Sequence, residues 1–282
     1  MDICQSFIFQ DIAIRGIWLQ LNQTINTAAL KSRAPDEQRL LSQAMAGIIL
    51  LGAVKQKDGR TLLQFRGEEG ANLKLLSAQV THSGYVRATL QRNHPQSRRP
   101  LNLTDGQLAV IYQPDKVTDQ HQSIVTSVNN DLIASLENYF FQSEQIPTKI
   151  NIYSHNGQLI ALLLQSLPDK DKNRQKGAFE YAGNLTHLIT DQAAFSMPFT
   201  QYLQKLYARN SLQFFTEKAL KYGCEGAQRR IQNAILSLGK AQALKILETK
   251  HSIDVTCDFC CKTCNFDHEA IQAIFNKGEI TC

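Results

Sequence analysis

The chain has 282 residues, a formal net charge of +5, and 43% hydrophobic and 20% charged residues. That length accommodates two domains of ordinary size, and the composition excludes a disordered or fibrous chain. The charge is too mild to imply a nucleic-acid partner by itself.

The amino terminus carries acidic Asp2 where a secretory signal would be positive, and no apolar core with a small-residue cleavage site follows. The longest apolar run, residues 44–54, is too short to cross a bilayer. A cytoplasmic protein with no membrane partner is the expectation.

Residues 7–21 alternate apolar and polar well enough to predict one long strand, with Gly16 offering a bend in its middle. Residues 22–32 read as a short helix. Pro35, Asp36 and Glu37 then stand where a helix start favours them, and the apolar spacing from Leu40 to Leu51 predicts a buried helix over 36–54. Residues 61–67, 71–81 and 84–91 are strand-like runs separated by glycine turns, the pattern of an antiparallel meander. Residues 92–105 are polar, with two prolines and several arginines, and read as a solvated loop or a basic partner site. Strands follow at 107–113 and 122–128, then a helix capped by Asp131 and running to about Gln142. Residues 148–154 and 158–167 flank Asn156-Gly157, a strong hairpin signal. The first 167 residues thus predict one α+β domain with few helices.

Residues 168–177 lack any apolar side chain and read as a connector or loop tip. Helices are predicted at 178–190, 198–208, 227–236 and 241–248, with a short extended run at 212–215. Residues 253–256 enter a cysteine-rich knuckle, and Asp267 caps a last helix.

Four thiols lie within eight residues, at Cys257, Cys260, Cys261 and Cys264. In a Cys-x-x-Cys unit the intervening pair turns tightly and aims both sulfurs at one point, onto a soft metal ion or into a disulfide. Reducing cytoplasm argues against a structural disulfide framework, which leaves metal binding or a transient switch. For the remaining cysteines, Cys4 and Cys282, a free thiol is the expectation.

Read whole, the chain resembles the redox-regulated 33 kDa heat-shock chaperonin family of bacteria. The resemblance rests on Ala13-Ile-Arg-Gly16, on Gly67-Glu-Glu-Gly70 with Asn72-Leu73, and above all on the long run from Leu136 to Thr148. Residues 162–168, Leu206-Tyr207, Cys257-Asp-Phe-Cys260 and Phe266 also fit. It implies an α+β fold: an amino-terminal mixed-sheet substrate-binding domain over 1–175, a helical linker segment over 176–222 and a small carboxy-terminal zinc and redox-switch domain over 223–282. It further implies an ATP-independent holdase of the stress response, not an enzyme. One zinc per chain is held by thiolates in the reduced state, and clients are bound once the cysteines form disulfides. The partners are unfolded, aggregation-prone proteins, with a homodimer of the oxidised form as a further state. The implied metal ligands are Cys224, Cys257, Cys260 and Cys264, and the implied redox-active disulfide joins Cys257 and Cys260.

The sequence departs from that family at its first cysteine pair, Cys-x-Cys, which here reads Cys224-Glu225-Gly226. Glycine has no side chain to ligate a metal, so the fourth thiolate must come from Cys264 or Cys261. Cys264 is preferred because the side chains of adjacent Cys260 and Cys261 diverge. Its competing reading is a core residue on the strand face of Phe266.

Two other classes remain. A thiol-disulfide oxidoreductase would want the strand-to-helix turn of a βαβ unit before its dithiol, and none is evident. A zinc-ribbon nucleic-acid binder would want a second cysteine pair and a clustered basic face, whereas Asp254 and Asp258 flank Cys257. Neither accounts for the long domain in front.

Overall fold

The structure, a computed structural model, describes residues 2–55, 58–94, 99–114, 121–223, 227–256 and 263–277. The chain opens with β1 (Ile3–Phe9), β2 (Ile14–Leu21), α1 (Ala28–Lys31) and α2 (Pro35–Lys55). Five strands follow: β3 (Arg60–Gly67), β4 (Leu73–Thr81), β5 (Tyr85–Arg92), β6 (Gly106–Gln113) and β7 (His121–Val125). Next come α3 (Leu132–Ser143), β8 (Thr148–His155) and β9 (Gln158–Ser166), then α4 (Lys172–Leu185), α5 (Asp191–Ala194) and α6 (Phe199–Leu206). Three short strands, β10 (Leu212–Phe214), β11 (Lys218–Ala219) and β12 (Lys221–Tyr222), precede α7 (Ala227–Leu238), α8 (Lys240–Lys250), β13 (Ile253–Thr256), β14 (Thr263–Phe266) and α9 (His268–Lys277). This mixed α+β chain divides into two compact units, Met1–Tyr222 and Gly223–Cys282.

The first unit is built on α2. Pro35 starts it, acidic Asp36 and Glu37 occupy its first turn, and every residue from Ala44 to Leu51 is buried. A helix apolar on all sides needs cover on all sides. Two six-stranded sheets supply it, in the orders β10-β1-β2-β9-β8, with β11 also on β1, and β12-β5-β4-β3-β6-β7. Both are antiparallel except where β12 runs parallel to β5. Within this core Leu136 of α3 packs over Gly47, where a Cβ would collide with its side chain.

The expected long strand over 7–21 is two strands, paired through Phe7↔Gly16. Residues 10–13 reverse the chain, fastened by Ile14 N–H to the Ile12 carbonyl (2.8 Å) and by Gln10 N–H to the Ser211 carbonyl (2.9 Å). Period-two alternation continues on both sides of the turn, so the pattern alone cannot reveal it. Gly16 does not bend the strand. Its bare face receives the Phe7 ring, which a Cβ there would strike.

The polar stretch 168–177 is likewise corrected, since α4 begins at Lys172. Asp171 accepts from Asn173 N–H (2.9 Å) and Arg174 N–H (3.2 Å), and Arg174 forks onto Asp169. Such caps contribute about 1 kcal/mol. The missing apolar residues signal exposure here, and the helix forms without them.

Residues 168–222 fall in the same compact unit as the first 167. Residues 212–222, which the resemblance places in a helical linker segment, carry three short strands, the first of them at the expected extended run: β10 and β11 pair with β1, and β12 pairs with β5. Arg92, read as part of a basic loop, is half-buried, with its side chain largely covered and ion-paired with Asp36 and Glu37.

Candidate functional site

In the second unit β13 and β14 form an antiparallel hairpin with the register Ile253↔Phe266 and Val255↔Cys264. Strand alternation puts Cys264 and Phe266 on one face. They are 3% and 0% exposed, and they join Ile231, Ile235, Ala243, Leu247, Ile253, Ile271 and Ile274 in a core belonging to this unit alone. Asp267, directly after β14, accepts from Ala270 N–H (2.9 Å) and caps α9 as expected. Cys264 is disulfide-bonded in this structure. Cys224, Gly226, Cys257, Cys260, Cys261 and Cys282 all lie outside the described residues. Among the described residues no cluster of three or more metal-ligating side chains forms.

The other cysteine among the described residues, Cys4, is a different chemical species. It is buried on β1, unpaired, and desolvation pushes its thiol up to about 12. At neutral pH it is neither nucleophile nor ligand.

The long run from Leu136 to Thr148 is fastened to the fold at several points, with Leu136, Tyr139, Phe140 and Thr148 buried. Glu137 accepts from Ile150 N–H (2.6 Å), and Tyr139 donates to Glu144 (2.8 Å), which also pairs with Lys55 (2.8 Å). Gln145 adopts a left-handed conformation, φ 55°, and turns the chain so that Ile146 N–H reaches the Phe140 carbonyl (3.0 Å). Thr148 hydroxyl closes the corner on the Ile146 carbonyl (3.0 Å). Phe141, like Gln142 and Ser143 after it, faces outward: it is 65% exposed.

A family model described as Hsp33 protein matches residues 2–267. The chain belongs to the Hsp33 family. Its relatives include the 33 kDa chaperonin of Hahella chejuensis, 32% identical over 98% of both chains, and that of Shewanella denitrificans, 28% identical over 99% of this chain and 97% of the other. The crystal structure of the 33 kDa chaperonin from Thermotoga maritima shares the fold, with a TM-score of 0.75 at 19% identity over 98% of this chain and 99% of that one. Membership of the Hsp33 family supports a chaperone function. No described helix is long and apolar enough to cross a membrane.

Sequence reading missed a second apolar core in the first unit. The face of β1, β2 and β9 turned away from α2 carries Phe7, Phe9, Ile14, Trp18, Ile160, Leu162 and Leu164, and α4 to α6 cover it with Ala182, Ile189, Phe199, Leu203 and Tyr207. Trp18 stacks on Phe199. The available signal was β2 itself, IRGIWLQL, which is apolar on both faces, as a strand covered on both sides must be.

Proposed function

We propose that this chain is a redox-regulated, ATP-independent holdase: oxidation of cysteines in the second unit uncovers apolar surface in the first, and that surface holds unfolding proteins. The observation carrying this reading is the extent of the Hsp33 match, which runs from residue 2 to residue 267 through both units and past the cysteine run. Residues 1–175 then hold the client surface, 176–222 the cover and 223–282 the sensor. The role is binding rather than catalysis, in the cytoplasm and in cells under oxidative or heat stress.

The donor set fits zinc in its reduced form. Cys264 is a soft sulfur shielded from water, and Cys224, Cys257 and Cys260 add three more thiols in the same unit. As a disulfide, Cys264 ligates nothing, so its reduction precedes binding. Bound zinc would hold the thiolates deprotonated and contribute folding energy, about 10–16 kcal/mol in small zinc modules. Peroxide takes two electrons from the Cys257 and Cys260 thiolates, an S–S bond forms, and the peroxide oxygens leave as two waters after taking up two protons from solvent. Two ligands are lost in that one step.

The cover is suited to leaving. Among residues 172–206 few are buried, α5 has four residues and α6 eight, and β10 to β12 have three or fewer each. Short elements with few apolar anchors open at low cost. What they uncover is an aromatic face, each buried square ångström of which is worth about 25 cal/mol to a client that covers it.

The test oxidises the purified protein with peroxide while following zinc release and suppression of aggregation of an unfolding client. Zinc release and holdase activity rising together is the expected result. Full activity in the reduced, zinc-loaded protein, or none after oxidation, refutes the redox reading.

A further inference from the structure

The first unit contains a cavity of about 680 Å³ between its two sheets. One wall is the α2-facing side of β1 and β2, with Cys4, Ser6, Ile8, Arg15 and Ile17. The opposite wall is Thr61 and Val80 of the second sheet, and Ile49, Gly52 and Ala53 of α2 form the base. Residues 215–220 close it, through Phe215, Lys218 and Leu220. The volume lies in the range of small-molecule sites.

Its charge is one-sided. No aspartate or glutamate lines it, while Arg15, His82 and Lys218 do. His82 is matched by Asp58 at 3.4 Å. Among the described residues neither Arg15 nor Lys218 has a carboxylate within ion-pair distance. Arg15 is half-buried, and its Nε and Nη2 both donate to the neutral carboxamide oxygen of Gln165, at 2.9 and 2.6 Å. That leaves three of its five N–H donors to other partners. The guanidinium is also held in place: Gln165 is fully buried and donates to Thr148 Oγ1 (2.9 Å), which in turn donates to the Ile146 carbonyl (3.0 Å).

A pre-oriented cation at the edge of an apolar chamber selects a ligand with one anionic end and one apolar end. A bare inorganic anion would lose hydration against Ile17, Ile49 and Val80 and recover it only at Arg15. A neutral hydrocarbon would leave the guanidinium facing an apolar group. A carboxylate matches the planar fork of arginine. We propose that this cavity binds an alkyl carboxylate of the fatty-acid class, its headgroup on Arg15 and its chain among Ile17, Ile49, Val80 and Leu220. Lys218 adds positive field at the mouth. Desolvation by burial already pulls Arg15 below the ordinary arginine range, so an arriving anion relieves an existing cost. This site is separate from the cysteine switch and does not depend on it.

The test titrates the reduced full-length protein with decanoate below its micelle concentration, by calorimetry and thermal shift, with decylamine as the charge-reversed control. One decanoate per chain, a rise in melting temperature, and decylamine weaker by at least about tenfold are expected. Arg15→Met retains the apolar stem and should weaken decanoate by about tenfold or more. Lys218→Gln, at an exposed strand, should weaken it a few-fold and steepen neither its folding nor its melting. Ala53→Leu should reduce binding by filling the base of the chamber. Equal binding of decylamine overturns the proposal. So does unchanged decanoate binding in both Ala53→Leu and Lys218→Gln, whether or not Arg15→Met folds.

Discussion

Cys264 and Phe266 lie two residues apart on one face of β14, both turned into the core of the second unit. A sulfur held there is shielded from water and closes the cysteine run in sequence. In this structure it is oxidised. A thiol in such a place is protected as a hydrophobe and released for chemistry only when the hairpin or its redox state changes.

Replacing Cys264 by valine keeps an apolar side chain of similar size while removing the sulfur. The reduced variant should keep its helical content, and its zinc affinity should fall by at least about tenfold, measured by competition with a chromogenic chelator. Unchanged zinc affinity would make Cys264 a core residue and pass the fourth-ligand role to Cys261.

Trp18 is the one tryptophan in the chain, 2% exposed and stacked on Phe199 of α6. It therefore reports directly on whether the cover leaves the sheet. Peroxide treatment should shift its emission to the red and make it quenchable by iodide, in step with holdase activity. Activity with Trp18 still shielded would place client binding elsewhere.

Cys4 gives an internal control. With its thiol pushed up to about 12 by burial, almost none is thiolate at neutral pH. Brief peroxide or maleimide treatment of the native protein should leave it unmodified in peptide mass maps, and denaturant should expose it. Native labelling of Cys4 as fast as that of the carboxy-terminal cysteines would contradict its burial.

Glu137 carries a pH dependence. Burial, partly offset by the Ile150 N–H and by Lys149 at 3.7 Å, raises its carboxyl above the ordinary glutamate range. The folded state therefore holds the proton more tightly than the unfolded chain. This contribution is fully present below the unfolded value and is lost as pH rises through the folded one. Glu137→Gln keeps an acceptor for Ile150 N–H and cannot ionise. It should flatten that loss and match or exceed the parent at neutral pH in denaturant titrations; a variant weaker at neutral pH than in acid would reverse the sign argued here.

What could be read without coordinates was local. Pro35 with two acids after it marks the start of α2, Asp131 and Asp267 mark helix caps, and Asn156-Gly157 marks a hairpin whose two residues indeed take positive φ, 48° and 73°. Each is a short-range hydrogen-bonding or backbone preference, written in consecutive residues. The cysteine spacing was legible for the same reason, although Cys264 alone among the four proposed ligands falls within the described structure. Tertiary structure decided what depends on distant partners. Phe7 selects Gly16 across a hairpin, residues 212–222 find edges on both sheets, and the polar first turns of α4 stand on capping and an ion pair. The cavity at Arg15 is the extreme case, since its walls come from strands more than two hundred residues apart in sequence, β1 and the stretch ending at Leu220. Burial and charge balance are properties of space rather than of sequence neighbours, and only the folded chain brings those groups together.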